Sequence, residues 1–175
     1  MMKPAFRNLI GLGLVLGLST TIWAKGATTR ITISGANLTG AVEIADADMI
    51  EAFQVWSGPG TGGCFDGNCV EATEGFIADW SSGEVVDRPG GLWHYEVSFY
   101  VTDARFPGRP ELEHLGYVVS YEYDPVGAQG YIYLPGKGDQ WYSLNSASIY
   151  RGREGRWFRA TRAWKDAVLP LITQH

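Results

Sequence analysis

A strict alternation in the middle of the chain constrains the fold more than any other feature. From Trp93 to Val101, bulky apolar residues take every second position and more polar residues fill the places between them. The first set is Trp93, Tyr95, Val97, Phe99 and Val101, and the second is His94, Glu96, Ser98 and Tyr100. Because successive side chains of a strand point to opposite faces, this pattern predicts a long strand with one buried face and one polar face.

Neighbouring segments predict partners for this strand. Leu115 to Tyr123 and Gln129 to Leu134 predict two further strands, and residues 124–128 between them contain the Pro and Gly that a hairpin turn needs. Nearer the start, residues 30–34 and 41–44 alternate in the same way on either side of a turn. Short connections favour antiparallel pairing, so we expect an antiparallel sheet of at least three strands.

The remaining segments predict one more strand and two helices. Asp46 is suited to cap a short helix over residues 47–53. After a turn at residues 134–139, the stretch from Gln140 to Tyr150 predicts a further strand. Apolar residues then recur at helical spacing, at Trp157, Ala160, Thr161, Trp164, Val168 and Leu171.

Together these elements predict an α+β fold class. We expect an antiparallel β-sheet with a short N-terminal helix and an amphipathic C-terminal helix packed on one face. Pro170 is expected to disrupt the last turn of that helix. With no repeat and no second hydrophobic core, residues 25–175 are expected to form a single globular domain.

The first 24 residues have the layout of a secretory signal peptide. Lys3 and Arg7 precede an apolar run from Leu9 to Leu18, which is about half the roughly 20 residues that span a bilayer. Small residues allow cleavage after Ala24 or after Gly26. The sequence therefore predicts an exported protein, periplasmic or extracellular, with no transmembrane segment after cleavage.

The two cysteines, Cys64 and Cys69, enclose Asp66-Gly67-Asn68. An exported chain meets an oxidising compartment, so the pair is expected to form a local disulfide that closes a tight loop. A structural zinc site normally takes four ligands and a redox pair is usually spaced C-x-x-C, so neither is expected. The glycine-rich stretch at residues 57–63 lacks the Gly-Lys-Ser/Thr ending of a phosphate-binding loop and predicts a surface loop. No cofactor or metal is expected.

Charge is distributed unevenly along the chain. Loss of residues 1–24 removes two positive charges and no negative one, so the formal net charge of −5 becomes −7. Nucleic acid is an unexpected partner for such a chain, because it requires a clustered positive surface. The tail is nevertheless basic, with Arg151, Arg153, Arg156, Arg159, Arg162 and Lys165. These residues either pair with the acidic body, which the opposite charges favour, or form a docking surface for an anionic partner.

One cluster is a candidate for chemistry. His94 and Glu96 lie on the same face of one predicted strand, and Glu122 lies on a neighbouring strand. If the register brings them together, a His and two carboxylates are suited to general acid–base catalysis. The alternative is that they are the solvated polar half of an alternating pattern.

Aromatic residues supply the candidate binding surface. Tyr117, Tyr121, Tyr123, Tyr131 and Tyr133 alternate along the two hairpin strands. On an exposed face they would form a stacking platform for a sugar or peptide, whereas buried they would be core residues. Lys137, between Gly136 and Gly138, and Trp141 extend this candidate site, although a solvated hairpin tip explains Lys137 equally well.

Three stretches of sequence resemble a group of exported bacterial proteins of unknown function. They are Ile31–Gly35 with Val42–Ile44, Tyr121–Pro125, and Tyr133–Asn145. The resemblance covers most of the mature chain but does not include the cysteine loop. It implies export and no particular activity, so it assigns no catalytic or binding residue.

Three functions follow as hypotheses. The first is a non-enzymatic exported domain that binds a glycan, a peptide or a component of the cell envelope. The second is a secreted or periplasmic hydrolase that uses His94, Glu96 and Glu122. The third is a structural or assembly role at the envelope.

Overall fold

The computed structural model describes residues 26–62, 64–65, 68–69, 76–103 and 112–173, and for residues 64–65 and 68–69 it describes the backbone alone. The predicted signal peptide lies outside the described residues, as do the side chains of both cysteines. No helix in the described ranges combines the length and the apolar character needed to cross a bilayer.

The structure is dominated by one antiparallel sheet, which confirms the β-rich antiparallel prediction. Its strands are β1 (Ala27–Gly35), β2 (Val42–Ile44), β5 (Ala78–Glu84), β6 (Trp93–Thr102), β7 (His114–Asp124), β8 (Gln129–Leu134) and β9 (Arg156–Ala160). A separate two-stranded ribbon joins β3 (Cys64–Phe65) to β4 (Asn68–Cys69). Three short helices complete the described fold: α1 (Ala47–Ala52), α2 (Tyr142–Ser148) and α3 (Arg162–Thr173).

The strand order across the sheet is β2-β1-β6-β7-β8-β9-β5. Register places Val97 opposite Val119 between β6 and β7, and both are fully buried. These two residues belong to what we call the inner face, which faces the hydrophobic core. The opposite, outer face carries His94, Glu96, Ser120, Glu122, Tyr131, Tyr133, Trp157 and Arg159.

Aromatic contacts connect the inner face to the C-terminal helix. Trp164 of α3 is fully buried, with its ring edge-on to Phe53 at 5.1 Å and to Tyr121 of β7 at 6.2 Å between centroids. Val168 and Ile172, one and two turns further on, are also fully buried. Removing side chains of this size from water contributes roughly 2 kcal/mol each, so α3 is held by its apolar stripe.

The C-terminal helix begins later and ends later than the sequence predicts. Trp157 and Ala160, assigned to the helix, lie in β9, and α3 begins at Arg162. Over so few residues helical and strand spacing overlap, and pairing of this segment with both β8 and β5 decides the outcome. Pro170 removes one backbone hydrogen bond but does not end the helix, which continues to Thr173, because the buried Ile172 holds the last turn against the core.

The predicted strand from Gln140 to Tyr150 is also wrong, because this segment forms α2. β8 ends at Leu134, and its last pair with β7 is Tyr133 opposite Ser120. Beyond that pair, the side chain of Asn145 in α2 forms hydrogen bonds with the backbone N–H and carbonyl of Val118. An amide side chain thus replaces a strand partner, so α2 lies beside β7 where β8 stops.

Candidate functional site

The outer face brings together aromatic and charged side chains from separate segments. Glu96, Ser120, Tyr133 and Trp157 are successive cross-strand partners from β6 to β9. Trp141, just before α2, reaches over this line and donates its indole N–H to Glu96 Oε2 at 2.7 Å. We call Glu96, Trp141, Tyr133 and Trp157 the outer row.

Two of its rings are stacked on each other. The Tyr133 and Trp157 centroids lie 4.8 Å apart with an interplanar angle of 29°. Arg88, from the connection between β5 and β6, places its guanidinium carbon 4.0 Å from the Trp157 ring centroid. The same guanidinium forms an ion pair with Glu122 on β7. The Trp157 ring is therefore in contact with both a guanidinium and a second aromatic ring.

The turn after β8 orients one end of the row. Asp139 Oδ2 accepts hydrogen bonds from the Tyr133 hydroxyl at 2.8 Å and from the Gly136 N–H at 2.7 Å. Burial, and then the hydrogen bond to Asp139, raise the pKa of Tyr133 above its usual value. Gly138 has φ of 103°, which favours glycine. Lys137 lies exposed at the tip, as either hypothesis for this turn requires.

The predicted catalytic cluster comes together only in part. His94 and Glu122 are cross-strand partners, with His94 Nδ1 3.5 Å from Glu122 Oε1. Glu96 instead engages Trp141. The His94 side chain is 62% exposed, so it does not line the floor of a cleft. Across the described ranges, no three His, Cys, Asp or Glu side chains are grouped to hold a metal ion.

The five tyrosines do not form one platform, because they lie on opposite faces. Tyr117, Tyr121 and Tyr123 of β7 are buried on the inner face, whereas Tyr131 and Tyr133 of β8 lie on the outer face, where Tyr131 is also buried and Tyr133 is half-buried. Register causes the split, because Tyr121 is paired with Ile132 and Glu122 with Tyr131. Tyr121 and Tyr123 are therefore core residues rather than ligand contacts. Burial raises the pKa of Tyr121 above its usual value, and its hydroxyl has no hydrogen-bond partner among the described residues.

Arg151 is one of the basic tail residues for which either pairing with the acidic body or a docking surface is expected, but it is buried with 4% exposure. Its guanidinium donates to the carbonyls of Val55 at 2.5 Å, Ser57 at 2.9 Å and Pro59 at 3.0 Å, and to the Tyr117 hydroxyl at 3.2 Å. Burial lowers its pKa, while Tyr117 opposes that effect. The predicted surface loop at residues 57–63 is thus partly interior, with Gly58 and Pro59 buried.

Other basic residues of the tail remain exposed and pair locally. Arg153 and Arg156 approach Glu84 at the end of β5, and Arg162 pairs with Asp166 within α3. Exposed ion pairs of this kind contribute little to stability. Pairing of Arg153 and Arg156 agrees with the hypothesis that the tail neutralises the acidic body.

The cysteine ribbon has a register suited to a bridge. Cys64 and Cys69 are directly opposite each other in β3 and β4. Facing Cα atoms of an antiparallel pair lie about 4.5–5.5 Å apart, which is inside the range of roughly 4.4–6.8 Å found for disulfides. The side chains lie outside the described residues, so the disulfide stays a prediction.

Two clefts of the described structure lie away from the outer row. One, of about 400 Å³, includes Trp56, Val101 and His114, and the other, of about 710 Å³, lies between Thr28 and α1. Neither is lined by Tyr133, Trp141 or Trp157. The outer row therefore lies outside both clefts, with Tyr133, Trp141 and Trp157 half-buried on the sheet face.

The sequence alone does not reveal two important residues of this surface. Arg88 lies in an exposed connection with no motif around it, and Trp157 is assigned by its spacing to a helix. Both join the site only through strand order and register. No family model, no curated protein and no solved structure matches the chain.

Proposed function

We propose that this chain is an exported, non-enzymatic domain that binds a ligand through the outer row and the adjoining turn. One observation carries the proposal. Tyr133 comes from β8, Trp141 from the segment before α2 and Trp157 from β9, yet all three lie half-buried on the same face of the sheet. Large aromatic side chains kept partly open to water are typical of recognition surfaces.

Preorganisation supports the same function. Trp141 holds Glu96, Tyr133 holds Asp139, and Tyr133 stacks on Trp157. Side chains already fixed by such contacts lose little conformational entropy when a ligand binds. A row of half-buried aromatic side chains that extends from β6 to β9 favours an extended ligand, such as a glycan chain, a peptide or an envelope component, over a small molecule enclosed in a pocket.

Export is part of this proposal and has its own support. The layout of residues 1–24 is that of a signal peptide, and the facing positions of Cys64 and Cys69 suit a disulfide in an oxidising compartment. We also propose that α3 and the N-terminal helix α1 form a layer on the inner face. Contacts of Trp164 with Phe53 and Tyr121 support this arrangement, which keeps α1 and α3 away from the outer row.

The hydrolase hypothesis has less support from the geometry. A general acid–base pair must reach a shared reacting atom, and here Glu96 is bonded to Trp141 while Glu122 is ion-paired with Arg88. Only His94 and Glu122 approach each other, on an open surface. The binding hypothesis uses the same residues without requiring them to converge.

Thermal-shift screening tests the binding function. The mature, oxidised domain is screened against glycans, peptides, metal ions and envelope extracts, because a ligand that binds the native state raises the melting temperature. Each hit is then repeated with Tyr133→Ala and Trp141→Leu, and with Tyr150→Ala as the control for an exposed tyrosine outside the row. We expect the shift to persist in Tyr150→Ala and to disappear in the other two variants. A shift that all three variants retain would place the binding site elsewhere.

A further inference from the structure

The connection between β5 and β6 crosses the outer face. β5 is an edge strand, and β6 lies four positions away, beyond β9, β8 and β7. Residues 86–92, which we call the strap, must span these strands, and Arg88 marks the path by contacting Trp157 on β9 and Glu122 on β7. Part of the outer face therefore lies beneath a crossing segment of the chain.

The strap is held far less firmly than the residues beneath it. Every residue from Val86 to Gly91 is exposed, and Val86 is 90% exposed. A Cβ atom added at Gly90 or Gly91 would meet nothing within 4 Å. Glu122, by contrast, has a side chain only 13% exposed and lies on a central strand, between β6 and β8. The two halves of the contact thus differ, because Glu122 belongs to a central strand whereas Arg88 is carried by an exposed connection.

The half of the contact formed by Glu122 and Trp157 has a defined chemistry. The ring face of Trp157 and the carboxylate of Glu122 both contact the Arg88 guanidinium, and Tyr133 stacks on the same Trp157 ring. An aromatic face next to a carboxylate binds a guanidinium by cation–π attraction and charge-assisted hydrogen bonds together. Arg88 fills this position with the protein's own guanidinium.

We propose that this site takes an arginine side chain of a partner peptide in place of Arg88. The inference rests on the proposed function, since it names the ligand class for one end of the same surface. The strap then competes with the partner for the Glu122–Trp157 site, and Arg88 leaves the site when the partner's arginine binds. The acidic mature chain, with a formal charge of −7, also favours approach of a basic peptide.

The burial of Glu122 explains why the incoming group is a cation. If Arg88 left and a neutral sugar took its place, a largely buried carboxylate would lose its principal partner, which is costly. His94 is too exposed, and at 3.5 Å too distant, to replace a guanidinium that lies on both Glu122 and Trp157. A ligand that displaces the strap must therefore bring its own positive charge.

Removal of the competitor tests the proposal. The probe is N-acetyl-arginine amide, and its control is N-acetyl-citrulline amide, which has nearly the same shape without the charge. If Arg88 fills the site about nine-tenths of the time, Arg88→Ala should bind the arginine probe about tenfold more tightly than the wild type. Titration calorimetry gives both affinities, and Arg153→Ala controls for the loss of an exposed arginine outside the site.

Two further variants complete the experiment. Arg88→Gln keeps the stem of the side chain and should also gain affinity, so a folding defect in Arg88→Ala would leave the test intact. Glu122→Gln combined with Arg88→Ala should abolish binding of the arginine probe. Equal affinities in Arg88→Gln and the wild type, or equal binding of citrulline and arginine, would overturn the proposal.

Failure of this inference differs from failure of the proposed function. A ligand that depends on Tyr133 and Trp141, together with no gain in arginine binding by Arg88→Ala, would leave the outer row as a binding surface and refute the arginine site. A gain in arginine binding without any ligand for Tyr133 and Trp141 would refute the wider surface and support the arginine site.

Discussion

Asn145 pairs with Val118 through both of its amide atoms, at 2.8 Å from the Val118 N–H and 2.6 Å from the Val118 carbonyl. Asn145 is 1% exposed and Val118 is fully buried. This side chain satisfies two backbone groups that would otherwise be buried without partners. The backbone of β7 at Val118 therefore stays fully hydrogen-bonded although β8 has already ended.

Replacing this amide should therefore be strongly destabilising. Asn145→Ala removes two buried hydrogen bonds and orphans both backbone groups, so we expect the free energy of unfolding to fall by about 2–4 kcal/mol. Urea denaturation gives the value. The matched control is Ser148→Ala, an exposed change in the same helix. A loss no larger than that of Ser148→Ala would show that α2 does not replace a strand.

Arg151 should be the most sensitive basic residue of the tail. Arg151→Met keeps much of the volume but leaves the carbonyls of Val55, Ser57 and Pro59 without their donor. Hydrogen bonds to charged groups contribute about 1.5–3 kcal/mol each, so we expect a loss of at least roughly 3 kcal/mol. The exposed Arg153→Met serves as the control in chemical denaturation. Similar losses in both variants would contradict the central role of Arg151.

Glu113 should make stability depend on pH in the acid range. Hydrogen bonds from Arg30 hold its pKa below the ordinary value of 4.5, and Thr29 adds to this effect. A carboxyl with a lowered pKa in the folded state contributes stability above its unfolded pKa and loses it as the pH falls through the folded value. We therefore expect the wild type to lose more stability below pH 4.5 than Glu113→Gln does.

Urea denaturation between neutral pH and pH values well below 4.5 measures this difference. The control is Glu51→Gln, which changes an exposed carboxyl on α1. If Glu113→Gln and the wild type lose stability in parallel as the pH falls, the Arg30–Glu113 contact does not contribute as proposed.

A disulfide between Cys64 and Cys69 should be present in the exported protein. Intact mass should be lower by two hydrogens than that of the reduced form, and thiol reagents should label the protein only after reduction. Because the closed loop is short, Cys64→Ser with Cys69→Ser should cost only about 2 kcal/mol. Two free thiols in protein purified from the exported fraction would refute the bridge.

Local patterns predicted the centre of the sheet well. The alternation from Trp93 to Val101 determines which side chains of β6 are buried, because a strand has a period of two and half of these residues are bulky and apolar. The sequence does not show which side chains of β7 and β8 lie on the same face of the sheet. They depend on how the loop at residues 124–128 sets the register, and one residue of slip would bring Tyr121 and Tyr131 to the same face.

Long-range pairing explains the remaining errors. Residues 140–150 have strand character, but the place beside β7 is taken by a helix that carries Asn145. Arg88 contacts Trp157 only because the connection between β5 and β6 crosses the sheet, so no local sequence pattern predicts their contact. The candidate site is formed largely by contacts between residues that are distant in sequence. The sequence therefore predicted the site residues on β6 and β8 better than it predicted which residues contact each other.

Placement of β5 at the edge also bears on the order of folding. Its neighbour in the sheet is β9, so Ala78 can pair with Ala160 only after β9 has been synthesised. Contacts so distant in sequence form late and slow folding down. During synthesis, Ala78 stays without its strand partner until β9 has emerged, so a chain cut before β9 would be prone to aggregate.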